Sequence, residues 1–301
     1  MIKIVEKKED ANCITHNGTM HADDVFATAF LEMYLKDVHV FRTSSINPNT
    51  ISKDVFVYDV GRGKYDHHQI GALKRDNGFP YSSIGLLWKD FGRNFLIQEG
   101  FSNVEELFVG VDKDIIEGID ADDNGVFPKI EALCKVKTLP NIIKIFNPSF
   151  DSNENENEQF LKAVSLAKMI LEEELLSING KVISDKKVMN ILDSINENSK
   201  YLVLEEYLPY EEVLLKHEKT KNILFVVFPS NRGGYAIKTV PKSVEDYTAR
   251  MDFPEEWAGL QGHELEEKSG ILGLRFCHST RFIVNCEDLE CVYQVLSFMC
   301  K

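Results

Sequence analysis

Residues 54–69 read DVFVYDVGRGKYDHHQ, an apolar run that ends at Asp59 and is followed closely by Asp66-His67-His68. The run predicts a strand, and the glycines after it predict a turn. An earlier strand-like stretch, NCIT, leads into THNGTMHADD at residues 15–24. Histidines and aspartates therefore collect where strands end, which is where an open α/β sheet builds its sites. This mixture of imidazole and carboxylate predicts a hydrolytic divalent-metal centre holding manganese, magnesium, iron or zinc.

Strands alternate with helices in the first part of the chain. The apolar periodicity predicts strands at 11–15, 38–43 and 54–60, and helices from Asp23 or Asp24 to Leu35, over 82–96 and over 104–125. Such alternation is typical of a mainly parallel, doubly wound sheet, so the expected fold class is α/β.

The pattern changes near residue 200. The acidic stretch 151–159 predicts an exposed loop, and helices are expected over about 158–176 and about 185–197. The strand-like segments beyond are NILFVVFPS, GYAIKTV and GLRFCHSTRFIVNC, followed by an amphipathic helix DLECVYQVLSFMC. We therefore expect a catalytic metal-binding domain over 1–200, which includes the acidic loop and linking helices, and a smaller α/β substrate-binding domain over 201–301.

The composition is that of a globular chain with an acidic balance. The 301 residues are 44% hydrophobic and 27% charged, which suffices for a sizeable core. The sequence shows no membrane span and no signal peptide, so an intracellular, cytoplasmic protein is expected. The 6 cysteines form no C-x-x-C pair, which favours free thiols in a reducing compartment. The net charge of −14 argues against a broad duplex-binding surface, but not against a small phosphorylated substrate or a strand end.

Each candidate ligand has an ordinary alternative, because an aspartate near a strand end is usually a turn or cap residue. The combination is what predicts a metal site. The candidate metal ligands are His16, His21, Asp23, Asp59, Asp66, His67, Asp120 and Asp123. Acids at a helix C-terminus oppose its dipole, so the segment GIDADDNG indicates either a bound cation or a solvated acidic turn. Two ions about 3.5–4 Å apart can activate water and clamp a phosphoryl group, and Asp59 is the expected bridge.

These motifs resemble those of the melanocyte-proliferating-gene protein family, which is grouped with the DHH phosphoesterase superfamily. Further matching segments are SNRGGYAIKTVP, MDFPEEWAGL, ELEEKSGI and FCHSTRFI. By position, the first superfamily motif matches His16, His21 and Asp23, the second Asp59, the third Asp66-His67-His68, and the fourth Asp120 or Asp123. The resemblance implies an N-terminal α/β domain that holds manganese or a similar ion, and a smaller C-terminal domain that closes over it. It also implies 3′–5′ exonuclease action on RNA, in nuclei and mitochondria of animals.

The chain departs from the family pattern at a few positions. Asp24 stands where the family often has glutamate, and it is interpreted as a residue of the first helical turn. Met20 stands where an aromatic residue is common. Lys144 precedes Asn147-Pro148 where the family usually carries arginine, which weakens the expectation of bidentate phosphate contact there.

The C-terminal domain is expected to supply cations to the phosphates of the substrate. Arg232 lies in SNRGGY, where the following glycines let backbone amides approach an anion. The candidate substrate-binding residues are Arg232, Gly233, Gly234, Lys238, Arg250 and His278. Trp257 is interpreted either as a base-stacking residue or, preferably, as a core residue between the domains.

The function expected is that of a metal-dependent phosphodiesterase, a 3′–5′ exonuclease on RNA or short oligonucleotides that uses two manganese ions to activate water. The residues expected to act in catalysis, across a closing pair of domains, are Asp59, His67, His68, Arg232 and His278. His68 need not bind metal directly, because an extended tripeptide cannot point all three side chains inward, so that His67 or His68 is the expected ligand. Hydrolysis of a small phosphoanhydride or cyclic dinucleotide is the near alternative, and a catalytically silent, metal-stabilised binding protein is the distant one. The expected partner is short single-stranded RNA or a small phosphorylated substrate, not long duplex DNA or a membrane; a homodimer is left open.

Overall fold

A sheet of 4 parallel strands carries the first unit of the chain, Met1–Asn179. The computed structural model describes residues 1–126 and 131–300. The strands of this sheet are β1 (Ile2–Ile4), β2 (Cys13–His16), β3 (Val38–Thr43) and β4 (Phe56–Val57), in the order β1-β3-β2-β4. Because β2 lies between β3 and β4 and all pairs are parallel, the carboxyl ends of β2 and β4 meet at one edge of the sheet.

Helices connect and follow these strands. Their bounds are α1 (Ala22–Leu35), α2 (Ser83–Gln98), α3 (Val104–Val111), α4 (Glu117–Asp123), α5 (Leu139–Lys144) and α6 (Glu156–Asp193). A π-helical turn, Asp112–Ile116, joins α3 to α4 without a break, so the two form one helix with an irregular middle.

The main core lies between the sheet and these helices. Helix α1 is apolar almost all round and buries Phe30, whose ring meets Trp88 and Phe95 edge-on at centroid distances of 5.4 and 5.6 Å. Consecutive residues of β2 point to opposite faces of the sheet. Cys13 therefore joins the main core, whereas Ile14 joins a smaller cluster on the other face. Strand β2 is thus packed on both faces of the sheet.

The second unit, Gly180–Lys301, has its own sheet of 5 strands. The strands β5 (Tyr201–Val203), β6 (Phe225–Pro229), β7 (Tyr235–Thr239), β8 (Leu274–Cys277) and β9 (Ile283–Cys286) lie in the order β5-β6-β7-β9-β8. The helices added here are α7 (Glu211–Lys216), α8 (Gly262–Ser269) and α9 (Leu289–Met299). Alternation along β6 places Phe225 and Val227 in one core and Val226 and Phe228 in another, so the sheet is covered on both faces.

The predicted α/β class, with a parallel sheet followed by a second sheet, is confirmed. The strand predicted at 54–60 is shorter, Phe56–Val57, because the chain turns at Asp59. The two helices predicted around 158–197 are the single helix α6, and the compact units divide inside it, after Asn179, rather than near residue 200. The functional roles assigned to the two domains stay predictions.

The sequence patterns did not predict several short elements, namely β1, α5, β5, α7 and α8. The cysteines are all free, as expected. Within residues 1–126 and 131–300, none of the helices combines the length and the apolar character that crossing a membrane requires.

Candidate metal centre

The end of β2 and the start of α1 supply the first part of the site. His16 is the last residue of β2, and Asp23 and Asp24 lie in the first turn of α1. Both aspartates are fully buried. One oxygen of Asp24 accepts a hydrogen bond from the backbone N–H of His21 at 2.8 Å, and its other oxygen lies 3.3 Å from Nε2 of His16. A helix N-terminus favours carboxylates, which explains how the fold tolerates two of them inside.

Asp59 enters the same space from the end of β4. Its φ of +53° lies in the left-handed region, where aspartate and asparagine are the commonest residues after glycine. Its N–H donates to the carbonyl of Tyr65 at 3.0 Å. The turn behind it needs glycine, since a Cβ on Gly61 would lie 2.7 Å from the carbonyl oxygen of Ile46. This geometry brings Oδ2 of Asp59 to 3.1 Å from Nε2 of His16.

The Asp66-His67-His68 tripeptide is a loop rather than an extended strand. The rings of His67 and His68 stack with centroids 4.2 Å apart. Nε2 of His67 lies 2.8 Å from Oδ2 of Asp123, and Nδ1 of His68 lies 3.6 Å from Oδ1 of Asp59. The argument that an extended tripeptide would turn these side chains in opposite directions does not apply, because the tripeptide is not a strand. That His68 need not be a direct ligand stays a prediction.

Asp66 does not face the cluster. Its carboxylate accepts hydrogen bonds from the backbone N–H groups of Arg62 at 2.6 Å and His68 at 3.0 Å, and lies 2.8 Å from Nδ1 of His68. These contacts shape the loop and orient the second histidine ring. The predicted role of Asp66 as a metal ligand is therefore corrected to that of a residue holding His68.

The structure separates the two acids offered as alternatives on α4. Oδ2 of Asp123 meets His67, and Oδ1 lies 3.9 Å from Nδ1 of His21. Asp120 is fully buried elsewhere, with its oxygens bonded to Ser82 and Arg75. Asp120 is thus committed to a structural ion pair, and its inclusion among the metal ligands is corrected. Asp123 is the fourth-motif acid that faces the cluster.

The described residues contain 4 overlapping groups whose ligand atoms lie within 4.8 Å of one another. They are His16–His21–Asp59, Asp59–His67–His68, His21–Asp23–Asp123 and Asp23–Asp24–Asp59. Within the described residues, five of their buried atoms make no hydrogen bond of regular geometry, namely His16 Nε2, Asp23 Oδ1, Asp24 Oδ2, Asp59 Oδ1 and His67 Nδ1, although Nε2 of His16 lies at ion-pair distance from Asp59 and Asp24. Buried polar atoms are ordinarily paired, so this concentration of unpaired ligand atoms fits a bound cation.

The electrostatics of the cluster point the same way. Burial, with repulsion from Asp59, Asp123 and Asp24, raises the pKa of Asp23 well above its usual value. Burial raises the pKa of Asp24 to about 7, although His16 opposes the rise. Burial by itself lowers the pKa of His16, but Asp59 and Asp24 outweigh it and raise that pKa to about 9. So many carboxylates ionise together only beside positive charge, which a divalent ion supplies.

Sequence reasoning missed residues that belong to or support the centre. Asp24 joins it although it also caps α1; the signal was its direct succession to Asp23 in HADD. Asn147 holds the first loop, since it exchanges hydrogen bonds of 2.8 and 3.0 Å with the backbone of Met20. Arg42 donates to the carbonyl of His16 at 3.2 Å. Asn147 lies in the Asn147-Pro148 segment that the family resemblance marked, although not for this role, and Arg42 carried no local signal.

The glycine-rich turn of the second unit is placed much as predicted. Arg232 is exposed in the turn between β6 and β7, and within the described ranges its guanidinium makes no ion pair. No atom lies within 4 Å of the position that a Cβ on Gly233 would occupy. Gly234 has a packing role, because a Cβ there would lie 2.1 Å from the carbonyl oxygen of Cys286. Anion binding by this turn stays a prediction.

Other predicted substrate-binding residues have structural partners in the second unit. Lys238 is paired with Glu211. Nη1 of Arg250 donates to the carbonyls of Thr220 at 2.6 Å and Ile223 at 2.8 Å and so joins two backbone segments, while its phosphate contact stays a prediction.

The structure also gives the surroundings of two aromatic candidates in the second unit, His278 and Trp257. His278 lies with Nδ1 2.8 Å from Oγ1 of Thr280 and its ring against Phe282, which leaves Nε2 for other contacts. Trp257 is buried in the core of the second unit, where it stacks on Phe253. It therefore neither stacks on a base nor belongs to a core between the domains.

The fold and the cluster define the class of protein: an α/β protein whose parallel sheet carries a histidine–carboxylate centre suited to divalent metal. The chain belongs to the family described as Uncharacterised protein family (UPF0160), whose model, MYG1_exonuc, matches residues 12–298. This match confirms the resemblance drawn from the motifs.

The similarity to named relatives extends over most of this chain and most of each relative. A MYG1 protein of Saccharomyces cerevisiae is 28% identical over 98% of this chain and 96% of its own length. A MYG1 protein of Chlamydia pneumoniae is 30% identical over 89% of both chains. The MYG1 exonuclease of Homo sapiens is 27% identical over 89% of this chain and 80% of its own.

Among solved structures, RecJ of Thermus thermophilus in complex with Mg²⁺ is similar at 14% identity and a TM-score of 0.27. The match covers 96% of this chain but 49% of RecJ, so the chain spans about half the length of that protein.

Proposed function

We propose that this protein is a metal-dependent phosphodiesterase that removes nucleotides from the 3′ end of short single-stranded RNA or oligonucleotides. The observation that carries the proposal is the set of buried, unpaired imidazole and carboxylate atoms at the edge of the parallel sheet. The name MYG1 exonuclease, given to relatives in human, rat and mouse, supports the nuclease class. The net charge of −14 favours a strand end over a long duplex.

Two divalent ions, with manganese as the first candidate, fit the overlapping ligand groups. Asp59 belongs to 3 of the 4 groups, which suits it to bridge two ions. His16, Asp23, Asp24 and Asp123 would complete the set around it. A divalent ion bound there supplies a Lewis acid that polarises a phosphoryl oxygen and lowers the pKa of water.

The chain's own contribution near the substrate centres on His68. Its side chain is 58% exposed, whereas that of His67 is 6% exposed, so the outer ring of the stack is the one that solvent reaches. Asp66 holds a proton at Nδ1 of His68. In the neutral ring Nε2 is then an acceptor that can take a proton from the attacking water, and once protonated it can donate to a phosphate oxygen or pass that proton to the leaving oxygen.

The test is hydrolysis by the purified full chain, with manganese, magnesium or zinc, of labelled substrates. These are a short single-stranded RNA, the same sequence as DNA, an RNA duplex, pyrophosphate and a cyclic dinucleotide. We expect a ladder of products shortened from the 3′ end of the single strand and little action on the duplex. The Asp59→Asn variant serves as the inactive control.

The alternatives predict different patterns in the same assay. Turnover of pyrophosphate or the cyclic dinucleotide alone would replace the nuclease proposal with a small-substrate hydrolase. Metal binding without turnover of any substrate would favour a binding protein.

A further inference from the structure

Arg75 lies in the loop between the histidine pair and α2, where it is 8% exposed. Its Nε donates to Oδ2 of Asp120 at 2.6 Å, and its two Nη atoms donate to the two oxygens of Asp112 at 2.8 Å each. The guanidinium also packs over the ring of Tyr81 at 4.6 Å. A planar guanidinium that binds two carboxylates in this way fixes the orientation of each carboxylate as well as its distance from the arginine.

The far side of Asp120 is tied to the start of α2. Its Oδ1 accepts from the backbone N–H of Ser82 at 3.0 Å and from the hydroxyl of Ser82 at 2.5 Å. The next residue, Ser83, donates its N–H to Oδ2 of Asp23 at 3.3 Å. Helix α2 comes this close because Gly85 has no side chain; a Cβ there would lie 2.2 Å from Oδ2 of Asp120. One short segment therefore contacts both Asp120 and a carboxylate of the metal centre.

The π-helical turn aligns the two acids that Arg75 binds. In a regular helix, residues eight positions apart differ in direction by about 80°, at about 100° per residue. A π turn accommodates one additional residue, which reduces the difference between Asp112 and Asp120 to about 20°. Both carboxylates can then meet the same guanidinium. Because π turns are frequent at functional sites, the presence of one in the helix that carries Asp120 and Asp123 supports a functional role for this helix.

We propose that Arg75 is a positioning residue of the metal centre. It acts through Asp120 on both sides of the site. On one side, Asp120 fixes the turn of α4 that carries Asp123, three residues further on the same helix face. On the other side, it fixes Ser82 and with it the Ser83 N–H that meets Asp23. The inference rests on the metal centre of the proposed function but not on the identity of the substrate.

The experiment measures manganese affinity of the full chain by calorimetric titration for Arg75→Gln, Arg75→Lys and Arg93→Gln. Arg93 is the matched control, because it makes a bidentate pair with Glu105 at 2.7 and 2.9 Å on the surface. Loss of a residue that orients ligands typically costs about 10–100-fold in metal affinity. We expect a loss of that size for Arg75→Gln, a smaller loss for Arg75→Lys, and none for Arg93→Gln. Circular dichroism and thermal unfolding in a chelator report the fold separately.

A merely structural role gives another result. If Arg75→Gln lowers the melting temperature but binds manganese with wild-type affinity, the positioning role is overturned. If that variant does not fold, Asp112→Asn replaces it, because the Asp120 pair is retained. We then expect a smaller loss of affinity in the same direction, and unchanged affinity overturns the proposal. A wild-type protein that binds manganese but cleaves no nucleic acid would overturn the proposed function and leave this test intact.

Discussion

Nε2 of His67 lies 2.8 Å from Oδ2 of Asp123, so the histidine loop and the end of α4 meet directly at the candidate metal centre. His67 follows the strand β4, and Asp123 closes a helix that is distant in sequence. Their contact identifies which acid of the GIDADDNG segment faces the cluster. It also makes the centre dependent on the placement of α4, and the predictions below test that dependence.

Asp59→Asn should remove most bound manganese and nearly all activity while leaving the fold intact. Asparagine keeps the left-handed backbone at φ +53°, which alanine tolerates poorly, so this change isolates the lost charge. The loss of affinity should exceed the roughly 100-fold typical of outer contacts. Elemental analysis after dialysis measures the metal, and the exposed Asp54→Asn on the same segment is the control. Wild-type metal content in Asp59→Asn would contradict its place in the centre.

Asp123→Asn and Asp120→Asn should differ in how their effects divide between metal binding and stability. Asp123→Asn should bind manganese weakly and unfold near the wild-type temperature in a chelator. Asp120→Asn should lose about 1–3 kcal/mol of unfolding free energy, because a buried charged hydrogen-bond network loses a partner, and its manganese affinity should fall less than that of Asp123→Asn, because Asp120 only positions the centre. Calorimetric titration and denaturant unfolding measure the two effects. Equal metal affinity in the two variants would argue against the assignment of Asp123.

The metal-free protein should lose stability as the pH rises. Burial raises the pKa of Asp24 from 3.8 to about 7, so between those values the folded state holds a proton that the unfolded state has lost. Stability therefore falls as the pH rises through this window. The raised pKa of His16, about 9 against 6.5, acts in the same direction, since its stabilisation is complete below 6.5 and is lost as the pH passes 9.

Thermal unfolding in a chelator at about pH 5.5, 7 and 8.5 measures this slope. The double variant His16→Gln, Asp24→Asn should flatten it. A metal-free melting temperature that increases steadily over this range would show that other groups dominate.

Gly85→Ala should destabilise the first unit, because its Cβ would lie 2.2 Å from Oδ2 of Asp120 and α2 would have to move. We expect a loss of about 1–3 kcal/mol, the usual cost of overpacking. Gly118→Ala is the matched control in a helix, since nothing lies within 4 Å of its Cβ position. That change should gain about 0.4–1 kcal/mol by restricting the unfolded chain. Denaturant unfolding measures both, and similar values for the two variants would refute the close approach.

Arg232→Gln and Arg250→Gln should behave differently although both are arginines of the second unit. Arg232 is exposed and available to a phosphate, so its loss should lower kcat/KM with unchanged metal content. Arg250 holds the backbone carbonyls of Thr220 and Ile223, so its loss should cost about 1–3 kcal/mol of stability. Steady-state kinetics and thermal unfolding distinguish the two. Full activity of Arg232→Gln would remove it from the substrate-binding set.

The elements that the sequence predicted well are those whose side chains repeat with a clear period. Helix α1 and strand β3 carry such patterns, and their observed bounds, Ala22–Leu35 and Val38–Thr43, lie within two residues of the expected ones. The candidate metal centre was predictable in part for a related reason. Several of its candidate ligands follow strands, and a parallel sheet gathers the residues that follow its strands at one edge.

The remainder depended on contacts that no local pattern encodes. Asp120 and Asp123 both lie near the C-terminal end of α4. Only the folded structure shows that Arg75 forms an ion pair with Asp120 and not with Asp123. Arg75 lies in the segment KRDNGFPY, whose asparagine, glycine and proline indicate a turn and carry no signal for this role. The regular helical period also fails in this helix, because buried residues follow at 107, 111, 116 and 119, and the interval of five marks the π turn.

The π-helical turn Asp112–Ile116 gives this helix an unusual response to a change of chain length. In a regular helix, the loss of one residue turns all side chains beyond it by about 100°. Here a deletion inside the turn would remove the additional residue and restore a regular helix, in which the acids now at 112 and 120 are seven positions apart and still differ by only about 20° in direction. One added residue would instead turn Asp112 by about 100° away from Asp120. The turn therefore absorbs a shortening of the chain by one residue but not a lengthening.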